Sequence, residues 1–190
     1  MIRLDAATVL LQWATGGLFF LWVTTRRREV GIGYGWLLRA VYGVLAVGAL
    51  AAGLVVDPVP VRDGASLGVA AAATVALAVS VVRRKAGVAG ERARQERKAS
   101  RVAAMSGKDA AAASSEAAPA PGPEFPPALD IVAPLIGLVG LIAAGIAAGG
   151  PDALAVARTL AGARFLGAVS DAMLLGHWYV VQPGRGRGPR

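Results

Sequence analysis

Residues 65–85 read ASLGVAAAATVALAVSVVRRK. The first eighteen residues are all apolar or glycine apart from two serines and a threonine, and three basic residues follow at once. At about 1.5 Å per residue, a helix over the apolar part is about 27 Å long, close to the thickness of the hydrocarbon core of a bilayer. The stretch therefore predicts a transmembrane helix that ends at a membrane surface.

Similar apolar runs recur along the whole chain. We place the five runs at Ala6–Thr24, Gly35–Val56, Ala65–Val82, Ile131–Gly149 and Leu160–Val181. The composition agrees, since 55% of the residues are hydrophobic, only 6% are aromatic and the mean hydropathy is +0.55. Continuous runs of this length are typical of membrane spans rather than of amphipathic helices or strands. The sequence predicts an all-α, polytopic transmembrane helix bundle with about five spans.

The basic residues predict how these spans are oriented. Fifteen Lys and Arg fall in segments 26–28, 83–130 and 183–190, which five spans would put on one side, and three fall on the other. Because short cytoplasmic loops hold an excess of Lys and Arg, we predict a protein of the bacterial cytoplasmic membrane with its N-terminus outside and its C-terminus in the cytoplasm. In the alternative with four spans, the last run is only partly inserted and the arginine tail lies outside.

The chain divides into four parts on this interpretation. These are a three-span membrane region (1–82), a cytoplasmic linker (83–130), a two-span membrane region (131–182) and an Arg/Gly tail (183–190). The linker is basic at first, which fits either a general orientation signal or a specific lipid or partner site, and this part can form a helix along the membrane surface. It continues as AAAASSEAAPAPGPEFPPA, which cannot bury enough apolar area to offset chain entropy, so we predict that it is disordered.

Small residues predict where the helices approach each other. They recur every four positions in the third run and in the fourth, at Gly68, Ala72, Ala76 and Ser80, and at Gly140, Ala144 and Ala148. Small side chains let helix backbones come close in lipid, so we expect these two helices to pack together. In the first run, Gln12 and Trp13 can bond to another helix, and Gly16 and Gly17 permit a close crossing.

Four ionisable residues in the apolar runs form a candidate intramembrane polar site: Arg39, Arg164, Asp171 and His177. A charged side chain at the centre of a span costs about 2.5–3.5 kcal/mol, so each needs a reason to be there. Arg39 lies about one turn inside its span, where its long stem can carry the guanidinium to the headgroups.

The other three residues share the last run. Arg164 and Asp171 are seven residues apart, which places them on one helix face about 10 Å apart, with His177 on the adjoining face. We expect these faces to point into the bundle. Asp171 is either neutral in apolar surroundings or paired with Arg164 or Arg39, and it serves either as a structural link or in a proton or cation relay. His177 is an interfacial residue beside Trp178 and Tyr179, a proton or ligand contact, or a metal or haem ligand.

No catalytic constellation accompanies this candidate site. The chain has one histidine without an exposed nucleophile beside it, no cysteine and no metal-ligand cluster, so we predict a protein that is not an enzyme and has no cofactor or metal. GIGYG (31–35) lacks the βαβ context of a nucleotide fingerprint and is interpreted as a flexible connection. GRGRGPR (184–190) is better explained by membrane orientation than by nucleic-acid binding.

Two stretches, LLQWATGGLFFLWVTTRRREVGIGYGWLLRAVYG (10–43) and DAMLLGHWYVVQP (171–183), carry a resemblance. Together they resemble a group of uncharacterised multi-pass membrane proteins of high-GC bacteria, in which Leu-Leu-Gly-His-Trp-Tyr ends a helix. The resemblance implies a multi-pass fold and, because that group tends to continue with more spans, a shortened member. It implies no activity.

Two functional hypotheses follow from the sequence. The first is a non-catalytic subunit or assembly partner of a larger membrane complex, in contact with lipid and with other membrane proteins or further copies of itself. The alternative is a small transporter or proton-conducting protein centred on Asp171 and His177. The small-residue faces and the few polar groups favour the first.

Overall fold

The computed structural model describes residues 5–26, 32–85, 125–149 and 152–181, together with positions 88, 89, 93, 96, 97, 100, 101 and 105. In this part of the chain there are five long helices: α1 (Ala6–Arg26), α2 (Ile32–Val56), α3 (Pro60–Val82), α4 (Val132–Ala147) and α5 (Asp152–Val181). A short 3-10 helix, Pro127–Ile131, leads into α4. Counting that turn with α4, all five helices are long and apolar enough to cross a membrane. The predicted all-α, five-span fold is confirmed.

Helix α1 lies at the centre of the bundle. It packs against α2, α4 and α5, while α2 contacts α3, α3 contacts α4, and α4 contacts α5. Among the described residues, α2 and α5 make no close backbone approach to each other. The outer four helices therefore form an arc around α1, with a gap between the first and the last of them.

Apolar side chains cover both the inside and the outside of this arc. Leu11, Leu38 and Val69 are fully buried in the core, whereas Val44 and Val55 are among many large apolar side chains that are exposed. A surface this apolar is compatible with lipid but not with water. These are the features of an integral membrane protein.

Three helices begin earlier than the sequence patterns predicted. Helix α2 starts at Ile32, so the segment interpreted as a flexible connection is partly helical, because Tyr34 is buried in the core and fixes the first turn. Helix α3 starts at Pro60, a residue favoured at the first helical position, and not at Ala65. Helix α5 starts at Asp152, eight residues before the predicted start at Leu160.

The predicted close packing of the third and fourth helices is confirmed. A Cβ atom on Gly140 of α4 would collide with the Cβ of Ala65 on α3, and Gly68 of α3 faces the side chain of Ile136. The same device brings α1 against α5, where Gly16 has no room for a side chain beside the backbone of Ala163. Small residues therefore set the helix spacing at both the α3–α4 and the α1–α5 contacts.

Most of the predicted linker and the tail lie outside the described residues. The positions that are described between 88 and 105 have helical backbone conformation, and the Ser100 hydroxyl donates to the Glu96 carbonyl. The predicted disorder of the Ala/Pro-rich part falls mostly on residues that are not described, as does the whole of 183–190. For its last four residues the prediction is wrong, because Phe125 packs on the Arg39 guanidinium and the 3-10 helix begins at Pro127.

Candidate functional site

The first buried polar cluster lies at the end of the bundle predicted to face the cytoplasm. The Arg39 guanidinium donates to both oxygens of Asp130, from Nε at 2.8 Å and from Nη2 at 2.7 Å. Thr25 of α1 donates to the same carboxylate, and Ser80 of α3 accepts from Arg39 Nη1. The ring of Phe125 lies 4.3 Å from the guanidinium carbon. This cluster joins α1, α2 and α3 to the entry of α4.

The expectation that Arg39 reaches the headgroups is wrong. Arg39 is only 4% exposed, because Asp130 offers two charge-assisted hydrogen bonds inside the bundle. Asp130 itself is 3% exposed, so it belongs to the packed helices and not to the linker whose last residue it was predicted to be. Planar bidentate geometry of this kind is the arrangement for which arginine is suited.

The second cluster lies at the opposite end of the bundle and centres on Arg62 of α3. Its guanidinium, 1% exposed, donates to Asp63 at 2.9 Å, to Asp5 before α1, and to the backbone carbonyl of Asp57 at 2.6 Å. Asp5 also accepts the backbone N–H of Thr8 and so caps the start of α1. Burial raises the pKa of Asp5, but the hydrogen bonds from Thr8 and the charge of Arg62 outweigh it and leave that pKa below its ordinary value.

The third cluster lies within the membrane region and contains Asp171. The Tyr34 hydroxyl of α2 donates to Asp171 Oδ1 at 2.8 Å across the gap between α2 and α5. Next to Asp171, Ser170 accepts the indole N–H of Trp13 at 2.6 Å and donates to the Leu166 carbonyl. Asp171 is 4% exposed and Tyr34 is 1% exposed. The predicted partners Arg164 and Arg39 are not the ones that the carboxyl contacts.

The four residues of the predicted polar site are therefore not brought together. Arg39 lies in the first cluster, Asp171 in the third, and Arg164 and His177 are exposed on α5. The buried residues of α5 recur every four positions, at Ala155, Thr159, Ala163, Gly167 and Asp171. A row of residues four apart is inclined to the helix axis by about 26°. Arg164 and Asp171 are seven residues apart, so they do not both lie on this buried row.

Two polar contacts that the sequence predicted for α1 are present. The Gln12 amide donates to the Thr159 carbonyl of α5 at 2.8 Å, and Trp13 bonds to Ser170 as described above. Gly16 and Gly17 also lie at close crossings, the first against α5 and the second against the ring of Tyr42. Helix α1 thus binds α5 through both hydrogen bonds and close backbone contact.

Sequence reasoning missed the acidic partners of both arginine clusters. Asp5, Asp63 and Asp130 flank the predicted apolar runs, and none of them is among the four candidate site residues. For Asp63 a signal existed: Pro60 favours the first position of a helix, which would have placed Arg62 and Asp63 in the first turn of α3. For Tyr34, the interpretation of GIGYG as a connection hid the residue that contacts Asp171.

No protein-family model matches the chain, and neither the curated proteins nor the solved structures include a significant match.

Proposed function

We propose that the protein is a non-catalytic subunit of a larger membrane complex, in which the outward face of α5 binds a helix of a different chain. The observation that carries this proposal is the exposure of Arg164. Gly16, the middle residue of α1, contacts Ala163 and Gly167 on either side of Arg164. Arg164 therefore lies at about the middle depth of the bundle.

The cost of that position favours a protein neighbour over lipid. An arginine at the centre of a span costs about 2.5–3.5 kcal/mol on insertion scales, and exposed ionisable residues in spans are rare. Such a residue normally faces a bundle interior or pairs with an acid. Because Arg164 does not face the interior of this chain, a second chain is the neighbour that offsets the cost.

The residues around Arg164 suit the approach of a helix. Four alanines flank it on the same side of α5, at Ala157, Ala161, Ala168 and Ala172, and three of them are exposed. Small side chains let a partner helix come close in lipid. The α5 span is also the least buried of the five and has the lowest hydropathy.

Charge complementarity favours a different chain over a second copy. The acidic residues of this chain that lie within candidate spans are Asp63, Asp130 and Asp171, and all three are buried. A second copy therefore offers no exposed carboxylate at this depth, and symmetric contact through α5 would place arginine against arginine. The partner that fits is a transmembrane helix with an Asp or Glu near its centre.

Photo-crosslinking in the native membrane tests this proposal. A benzoylphenylalanine probe replaces Ala161 on the outward face of α5, and a matched probe replaces Val139, which is 57% exposed on α4. We expect the first probe alone to capture an apolar helix with an internal acid. Arg164→Gln should lower the yield at least tenfold, and Arg164→Asp together with an Arg in place of the partner's acid should restore it.

Two outcomes would overturn the proposal. If both probes give only lipid adducts, α5 faces lipid and Arg164 is tolerated there. If the Ala161 probe captures a second copy of the chain, the protein is a homo-oligomer and the charge argument fails.

A further inference from the structure

The three acids that lie within the candidate spans differ in what neutralises them. Asp130 and Asp63 each contact an arginine, at 2.7 Å and 2.9 Å. Asp171 is as deeply buried, but its hydrogen bond comes from the neutral hydroxyl of Tyr34. No cationic side chain among the described residues forms an ion pair with it. An ionised carboxylate in that position would be a buried charge without a counter-charge, which is strongly unfavourable.

A second observation points to what occupies the site. The Tyr42 hydroxyl of α2 is buried, makes no hydrogen bond of normal geometry among the described residues, and lies near both Asp171 and the Ser170 hydroxyl. Buried hydroxyls are nearly always satisfied, so this hydroxyl, close to a carboxyl that has no counter-charge, needs an explanation. Ser170, the other polar neighbour, already bonds to Trp13 and Leu166.

We propose that Asp171 is a proton-binding site, in which the carboxyl takes up one proton from water and Tyr34 and Tyr42 are its polar neighbours across the gap between α2 and α5. Uptake converts a carboxylate and a proton into a carboxylic acid, and no other bond changes. The acid then offers an O–H donor beside the unpartnered oxygen of Tyr42, while Tyr34 donates to Oδ1. A proton is favoured over a metal ion because the tightly buried cluster offers a single carboxylate as its charged ligand.

The groups around Asp171 determine how strongly its carboxyl binds a proton. Helix α2 presents the two tyrosines, and α1 reaches Ser170 through the uncharged indole of Trp13. On α5 itself, Arg164 and His177 are exposed. His177 lies six residues nearer the end of α5, about 9 Å along the axis, and is the nearest titratable group on that helix toward its exposed end. The inference is independent of any partner on α5.

A hydrophobic carbodiimide tests the proposal, because it reacts with protonated carboxyls in apolar surroundings. The purified chain in detergent is treated across a range of pH, and modified aspartates are identified by peptide mass spectrometry. We expect Asp171 to be modified and the modification to decline as pH rises. Asp63 and Asp130, which are buried but paired with arginine, serve as internal controls and should stay unmodified.

Two tyrosine variants should shift the pH at which modification of Asp171 ends, in opposite directions. Tyr34→Phe removes a hydrogen bond that favours the ionised carboxylate, so modification should persist to higher pH. Tyr42→Phe removes the acceptor for the acid proton, so modification should end at lower pH. Asp171→Asn, which resembles the neutral acid in shape, should fold like the unmodified chain and lose the label.

The proposal is overturned if Asp171 is unmodified at every pH, or if Asp63 and Asp130 react equally. Protection of Asp171 by sodium ions at constant pH would assign the site to a metal cation and also overturn it. None of these results bears on the outward face of α5, which is tested separately by crosslinking.

Discussion

Arg39 and Arg164 are the two arginines that the sequence places inside predicted spans, and the structure treats them in opposite ways. Arg39 is buried and binds both oxygens of Asp130, whereas Arg164 is exposed at middle depth. The difference comes from the neighbours: the 3-10 helix before α4 carries a carboxylate that reaches Arg39, and α1 presents glycine, not an acid, near Arg164. An intramembrane arginine therefore indicates an internal ion pair only where another helix of the same chain supplies the acid.

The largest loss of stability is expected from Asp130→Ala, which removes the acidic partner of Arg39. It leaves the Arg39 guanidinium buried without a counter-charge, so the free energy of unfolding in detergent should fall by about 3–5 kcal/mol. The double variant Arg39→Met with Asp130→Leu should recover most of the loss, because two apolar residues replace both charges. Chemical or thermal unfolding followed by circular dichroism measures both. An Asp130→Ala variant as stable as the parent would show that the pair does not hold α2 to α4.

Next in size is Gly167→Val, which tests what turns Arg164 outward. A side chain at Gly167 would collide with the backbone of Gly16, so we expect a loss of about 1–3 kcal/mol from overpacking. Gly176 lies on the same helix with nothing within 4 Å of its absent Cβ, and Gly176→Val is the matched control. Equal stability of the two variants would mean that the α1–α5 crossing is looser than its geometry indicates.

The sequence was sufficient to predict the five-helix architecture, because each span can be recognised from its length and hydropathy alone. Contacts such as Gln12 with Thr159 were also accessible, since a polar side chain early in a span needs a partner. The ion pairs were not accessible in the same way. Arg39 and Asp130 are far apart in the chain, and only the order of helices around α1 brings them together. Likewise, Asp171 is buried and Arg164 is not because of the angle at which α5 crosses α1. The seven-residue spacing of the two residues in the sequence does not reveal that angle.

A smaller loss of stability is expected when the Arg62 cluster is acidified. This cluster contains the paired arginine at the other end of the bundle. The pKa of Asp5 in the folded chain lies below its ordinary value of 3.8, so its ionised form stabilises the fold above that value. That contribution is lost as pH falls from about 3.8 through the lower pKa of the folded state. The difference in melting temperature between the parent and Asp5→Asn should therefore shrink below pH 4. Asp57→Asn, at an exposed side chain, is the control, and a difference that stays constant with pH would contradict the ion pair.

The smallest effect on the isolated chain is expected from Arg164→Leu, the counterpart of Asp130→Ala. Because Arg164 is exposed, its replacement should change the free energy of unfolding in detergent by no more than about 0.5 kcal/mol. In the native membrane the same variant should behave differently, since loss of the charge removes what a partner's carboxylate would bind. Native electrophoresis of solubilised membranes should then show the variant at a smaller apparent size than the parent, with unchanged abundance. If stability in detergent falls as far as it does for Asp130→Ala, then Arg164 is held within the chain, and the contrast between the two arginines is wrong.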